Sequence, residues 1–274
     1  MQNLNVVLVQ TPLFWEDKDT NRTYLSDLLL DRLKNQTIDL LILPEMFTTG
    51  FSMNPENLAE DMQGETVMWM RKIANDLSCH IGGSVIIQEN GKFYNRFIVT
   101  NEEGVVSFYD KRHLFRMANE HDTYDPGSKR VVFELFGWKI LLQVCYDLRF
   151  PVFARNRLKN GNPEYDLVIY TANWPEKRSA VWQTLLHARA IENQAFCVGV
   201  NRVGEDANSI SYSGDSLAID PWGNTIYQSQ QHALDIAIIE LKFSMLDNIR
   251  EHFPAFKDSD DFFITDKTIK YTEE

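Results

Sequence analysis

The 274 residues contain only three cysteines, Cys79, Cys145 and Cys197. No two of them form a C-x-x-C pair, which argues against a disulfide framework and a zinc ribbon. There is no basic excess either. Twenty-seven Lys and Arg face 39 Asp and Glu, a formal charge of −12. That balance argues against a nucleic-acid or anionic-membrane partner, since both select basic patches. Long apolar runs are missing as well. Stretches such as Leu40 to Pro44 or Ile140 to Leu142 fall far short of a bilayer span. No basic residue precedes the first apolar stretch, as a secretory signal would require. The chain carries no repeat, no low-complexity segment and no linker rich in Gly, Pro or Ser. These absences predict a cytoplasmic protein with reduced thiols, folded as one domain over residues 1–274.

What is present alternates. Val6 to Val9 and Ile38 to Leu43 read as buried strands. Tyr24, Leu25, Leu28, Leu29 and Leu33 recur at helical spacing and predict a helix over 21–34, with Asp19, Thr20 or Asn21 as N-cap. Val67, Met70, Ala74 and Leu77 mark a second helix. Strand-like runs at 80–88, 92–100 and 105–110 are split by Gly-containing breaks, the mark of hairpins. Strands follow at 131–136, 138–144, 165–171, 195–201, 213–219, 224–228 and 233–241. Helices are predicted at 151–159 and 179–193. The pattern implies layered α/β architecture. The last stretch, about 257–274, contains Phe262-Phe263-Ile264 and reads as a C-terminal arm that docks on something.

Two apolar strands run into reactive side chains: Leu40–Pro44 into Glu45, and Lys139–Val144 into Cys145. Sites of α/β sheets assemble at the carboxyl ends of strands. A thiol has an ordinary pKa of ~8.5, so a cysteine nucleophile needs a base or a positive field, and Glu45 could be that base. The bland alternatives are a core cysteine and a carboxylate that caps the next segment. Cys79 and Cys197, set among apolar neighbours, read as core. A third element, Tyr109 to Phe115, puts a basic cluster in an acidic protein. It is either a solvated turn or a place where Lys111 offsets an oxyanion. His113 raises a Cys–His dyad, and His121 beside Glu120 raises a metal. Neither a His-Glu-x-x-His pattern nor any similar ligand spacing supports the metal.

Five segments in order carry a resemblance. They are Leu43-Pro44-Glu45, Tyr109–Phe115, Cys145-Tyr146-Asp147-Leu148-Arg149-Phe150-Pro151, Ala172-Asn173-Trp174-Pro175 and Ala188–Gln194. Together they resemble the nitrilase superfamily of carbon–nitrogen hydrolases over nearly the whole chain. The resemblance implies a four-layer α-β-β-α sandwich, a homodimer packed through helices, and no cofactor or metal. It implies Glu45 as general base, Cys145 as nucleophile, and Lys111 with the Tyr146 N–H at the oxyanion. Glu120 matches a second glutamate that bonds the lysine, which leaves His113 a structural role. Cys145-Tyr146-Asp147 is similar to amidases rather than to true nitrilases. Val152 after Pro151 and the stretch Leu114–His121 resemble the bacterial omega-amidase (2-oxoglutaramate amidase) branch. Amidases of deaminated glutathione or N-carbamoyl compounds, or a silent scaffold, are the alternatives. A small anionic amide requires a further cation. Arg149 is the first candidate, with Arg116 and Arg178 behind it; an ion pair with Asp147 is the competing role for Arg149. Trp174 and Tyr124 are candidate pocket walls.

Overall fold

The computed structural model describes residues 1–264. Its first sheet contains β1 (Leu4–Gln10), β2 (Leu40–Ile42), β3 (His80–Glu89), β4 (Lys92–Thr100), β5 (Val105–Asp110) and, last in the chain, β16 (Asp235–Leu241). Their spatial order is β16-β1-β2-β3-β4-β5. The second contains β6 (Val132–Leu135), β7 (Trp138–Val144), β10 (Leu167–Ala172), β11 (Phe196–Asn201), β14 (Leu217–Ile219) and β15 (Thr225–Gln228). Its order is β15-β14-β11-β10-β7-β6. Two short ladders, β8 (Leu158–Lys159) with β9 (Asn162–Pro163) and β12 (Val203–Glu205) with β13 (Ser211–Ser213), lie outside the sheets.

Side-chain alternation explains the layers. Successive residues of a strand point to opposite faces. Leu4, Val6 and Leu8 of β1, with Leu40 and Ile42 of β2, join a core shared with the second sheet's Leu142, Val144 and Ile169. Val7, Val9 and Leu41 point the other way. There they meet α1 (Lys18–Leu33) through Leu25 and Leu29, and α3 (Glu65–Leu77) through Met70 and Ile73. Both faces of the strands are covered, so they read as continuous apolar runs. The second sheet is covered by α6 (Ser179–Asn193). Gly199 lets it in: a Cβ there would stand 2.5 Å from Leu186 Cδ1 and 2.7 Å from Trp182 Cζ2. The result is the expected α-β-β-α sandwich.

Several boundaries depart from expectation. α1 starts three residues early because Asp17, not a later residue, caps it by accepting from the Thr20 N–H at 3.0 Å. The helix predicted over 151–159 is only α5 (Pro151–Ala154). Beyond it the β8–β9 hairpin takes over, turning at Asn160 and Gly161 with φ +54° and +77°. The strand predicted over 213–219 is broken by Gly214 and Asp215, both at positive φ. Helix α7 (Phe243–His252) was not anticipated; it buries Phe243, Leu246 and Ile249 at a spacing of three. Two single-turn helices, α2 (Pro55–Leu58) and α4 (Glu120–Thr123), complete the set. Of the C-terminal arm, residues 257–264 are described, and residues 265–274 lie outside the described part.

The four strand ends that matter lie together. β1, β2 and β3 run parallel, and two antiparallel steps through β4 bring the end of β5 to the same side. β7 and β10 are parallel in the other sheet. Gly199→Ala should overpack the α6 contact and lower the unfolding free energy by about 1–3 kcal/mol, read from urea midpoints at unchanged slope.

Candidate active site

Glu45 follows β2, Lys111 follows β5, Cys145 follows β7 and Asn173 follows β10. The carboxylate of Glu45 is wholly buried. Its Oε1 accepts from Lys111 Nζ at 2.9 Å and from Asn95 Nδ2 at 2.8 Å. Its Oε2 accepts from the Asn173 backbone N–H at 2.8 Å. The Asn173 side chain donates in turn to the Glu45 carbonyl, and Thr171 donates to that of Leu43 at 2.6 Å. The base strand of one sheet is thus clipped to the end of β10 in the other.

Lys111 is buried between two acids. Its ammonium also donates to Glu120 Oε1 and Oε2 at 2.9 and 3.0 Å. Glu120 is held by the Phe115 N–H as well. The lysine backbone is fixed on both sides: its N–H donates to Asn95 O, and its carbonyl accepts from Gly127, each at 2.9 Å. Gly127 is required by that approach, because a Cβ would fall 2.0 Å from the Asp110 carbonyl oxygen. Burial alone would lower the lysine pKa, but Glu120 and Glu45 outweigh it and hold the ammonium above its ordinary range. Burial and the Glu45 charge raise Glu120, which Lys111 opposes.

Cys145 sits in the left-handed region at φ +43°, a sharp elbow between β7 and the one-turn helix Cys145–Arg149. Asp147 holds the elbow. Its carboxylate accepts from the Val144 N–H, the Tyr109 hydroxyl, the His113 N–H and His113 Nδ1, at 2.7–3.0 Å. The His113 ring also stacks on Phe150 at 3.9 Å. His113 is therefore committed to Asp147. His121 faces Asp122 at 3.5 Å. Burial pushes the Cys145 thiol well above its ordinary value, and Glu45 adds to the effect; Lys111 only partly opposes it. The Cys145 Sγ lies 3.9 Å from the Asn173 carbonyl oxygen, to which the S–H donates. Two carboxylates already share the Lys111 charge, which limits its pull on the thiol.

Cys145 and Lys111 open onto a cleft of about 510 Å³. Tyr146, Arg149 and Trp174 line it, joined by the candidate cation Arg178, by Phe115 at the end of the Lys111 segment and by Tyr212, which has no site signature in the sequence. Arg149 does not pair with Asp147, whose oxygens are taken. Its guanidinium lies 5.1 Å over the Trp174 ring, and that of Arg178 lies 5.4 Å over Phe115. Among the described residues neither guanidinium has an acidic partner. Arg116 is exposed and outside the cleft. Tyr124 is a correction: it is not a cleft wall. Its ring packs with Met46, Leu58, Ile86 and Leu114, and its hydroxyl donates to the Ser52 carbonyl at 2.6 Å. Its apolar body found the satellite core under the Lys111 loop instead. Asn95 and Asp147 were missed. One buried amide in a strand and one acid in a turn carry no spacing pattern.

The carbon-nitrogen hydrolase family model matches residues 5–251. The chain belongs to that family. Omega-amidase YafV of Escherichia coli K12 is 46% identical over 264 residues, covering 96% of this chain and 99% of that protein. The 2-oxoglutaramate amidase of Bacillus subtilis is 36% identical, covering 80% of this chain and 84% of that protein. A CN-hydrolase superfamily protein from Xanthomonas campestris, solved with an arsenic adduct in its active site, superposes with a TM-score of 0.92 at 44% identity, covering 97% and 100% of the two chains. For a carbon-nitrogen hydrolase with this thiol, alkylation has a definite expectation. Iodoacetamide should label Cys145 before Cys79 or Cys197, followed by intact mass. The rate should keep rising with pH well past ~8.5, the ordinary thiol value. In Glu45→Gln the curve should move to lower pH, since a charge that raised the thiol is gone.

Proposed function

We propose that this carbon-nitrogen hydrolase cleaves the terminal amide of a small oxo-acid amide, 2-oxoglutaramate or 2-oxosuccinamate, to the carboxylate and ammonia. The observation that carries the reading is the cleft itself. A thiol, a carboxylate and an ammonium meet where the cleft also presents two guanidiniums that, among the described residues, have no acidic partner, and among those residues no Asp or Glu lines it. An anionic carboxylate is favoured there, and a guanidinium can fork onto it. The names of the two relatives above point to the same substrate class. The acidic exterior does not oppose this, since the cleft carries its own cations.

The proposed steps draw on this arrangement and on the family's chemistry. Glu45 takes the Cys145 proton as Sγ adds to the amide carbon. Lys111 and the Tyr146 N–H, in the first turn of its helix where backbone donors lack intrahelical partners, hold the oxyanion. Glu45 returns the proton to the departing nitrogen, which leaves as ammonia, and a thioester remains. Glu45 next takes a proton from water as its oxygen attacks the thioester. Collapse releases the acid, and the proton returns to sulfur. Amide and water thus give acid and ammonia. Glu120 keeps Lys111 charged and in place.

The same reading includes one domain over the chain, a cytoplasmic setting and a homodimer. For the dimer, α5, the end of α6, the β14–β15 turn and the segment after α7 supply exposed Val152, Ile191, Trp222 and Phe253, with Trp222 and Phe253 stacked at 6.3 Å.

Ammonia release from 2-oxoglutaramate should be seen in the wild type and fall by at least about 10³-fold in Cys145→Ala, as loss of a nucleophile does. Glutamine, whose α-ammonium would meet no carboxylate in the cleft lining among the described residues, should be a poorer substrate. Arg149→Met should raise KM more than it lowers kcat. A wild type inert on oxo-acid amides overturns the substrate; a Cys145→Ala enzyme that retains activity overturns the mechanism. Sedimentation at micromolar concentration should give twice the chain mass, and Trp222→Glu should halve it.

A further inference from the structure

Asn95 stands at the centre of the β4 edge of the site, almost wholly buried. Its Nδ2 donates to Glu45 Oε1 at 2.8 Å and to Glu120 Oε1 at 3.2 Å. Those are the same two oxygens that Lys111 Nζ reaches, each at 2.9 Å. Two donors and two acceptors therefore close a four-cornered ring. The amide's orientation is fixed by charge, because Oδ1 turned toward either carboxylate would repel it. The consequence is visible: Asn95 Oδ1 is buried with no partner. Leaving a buried acceptor unpaired is costly. Satisfying both carboxylates outweighs that cost here.

We infer that Asn95 is a positioning residue, which holds the base Glu45 and the acid Glu120 in register around Lys111 without neutralising either. A lysine or arginine in its place would also bond both oxygens. It would add a second positive charge and stabilise the carboxylate form of Glu45 too strongly for it to accept a thiol proton. A neutral donor fixes the geometry and leaves the base usable. The backbone adds a second constraint, since the Asn95 carbonyl accepts the Lys111 N–H at 2.9 Å. One residue thereby sets the lysine at its root and the two acids at their tips. Its neighbour Arg96 points to the other face of β4, where it pairs with Asp110 and Glu89. The groups that share the Asn95 face and titrate are Glu45, Glu120, Lys111 and Cys145, with the Tyr124 and Tyr212 hydroxyls further out. The inference rests on the amidase reading for its base and nucleophile, not for its substrate.

The test is a pH profile of the full-length Asn95→Ala and Asn95→Asp proteins on any amide that the wild type cleaves. In Asn95→Ala kcat should fall by about 10²-fold, the lower end of a general base's worth, with KM changed little. The acid limb of kcat/KM should move to higher pH, because a donor to the charged acids is lost. Asn95→Asp keeps the shape but adds an acceptor. Its limb should move further, and iodoacetamide should label Cys145 only at higher pH than in the wild type. Alkylation needs no substrate, so it separates this inference from the substrate assignment. Unshifted profiles in both variants, or activity lost only in step with thermal stability, would overturn the positioning role. If Asn95→Ala does not fold, the isosteric Asn95→Asp decides alone.

Discussion

The structure depends on one buried ammonium. Lys111 lies between two carboxylates with almost no access to water, and taking three charges out of water is costly unless they satisfy one another. Everything near it serves that end. Asn95 and the Asn173 and Phe115 N–H groups supply further donors to the two acids. The Lys111 backbone is pinned at its N–H and its carbonyl. Removing the ammonium would leave two carboxylates facing each other uncompensated in a dry interior.

That constraint explains why the site spans two sheets. Glu45 comes from the first sheet, yet its carboxylate and its carbonyl both bond Asn173 at the end of the second. Cys145 comes from the second, yet Asp147 two residues on takes the hydroxyl of Tyr109 in β5. The inter-sheet core of Leu, Val and Ile sets the spacing, and these polar clips set the register. Packing and chemistry are thus coupled: slippage between the sheets would separate base from nucleophile.

Much of this was legible in the residues, for identifiable reasons. Buried strands are nearly pure apolar runs, so β1, β2, β7 and β10 showed themselves, and the reactive residues follow them directly. The Glu45 and Cys145 positions were visible because each ends such a run, and Lys111 because it sits in a basic cluster of an acidic chain. Boundaries governed by a single residue were not. Asp17 capping α1 and the positive φ at Asn160 and Gly214 leave no periodic trace. Asn95, Asp147 and the Tyr124 satellite core depend on which distant element each side chain meets, which alternation along one strand does not encode. The raised thiol pKa could not be read from the sequence either, because it comes from burial and the Glu45 charge, which outweigh the pull of Lys111 only once the three are brought together.

The elbow at Cys145 restricts which chemistry the position can hold. A backbone at φ +43° tolerates an unbranched Cβ at some strain, but a second heavy atom on Cβ would crowd the neighbouring carbonyl. Cysteine and serine fit this turn; threonine does not. The range of nucleophiles open to this scaffold is therefore set by a torsion angle before any reactivity is considered, and drift at the site is confined to a change of sulfur for oxygen.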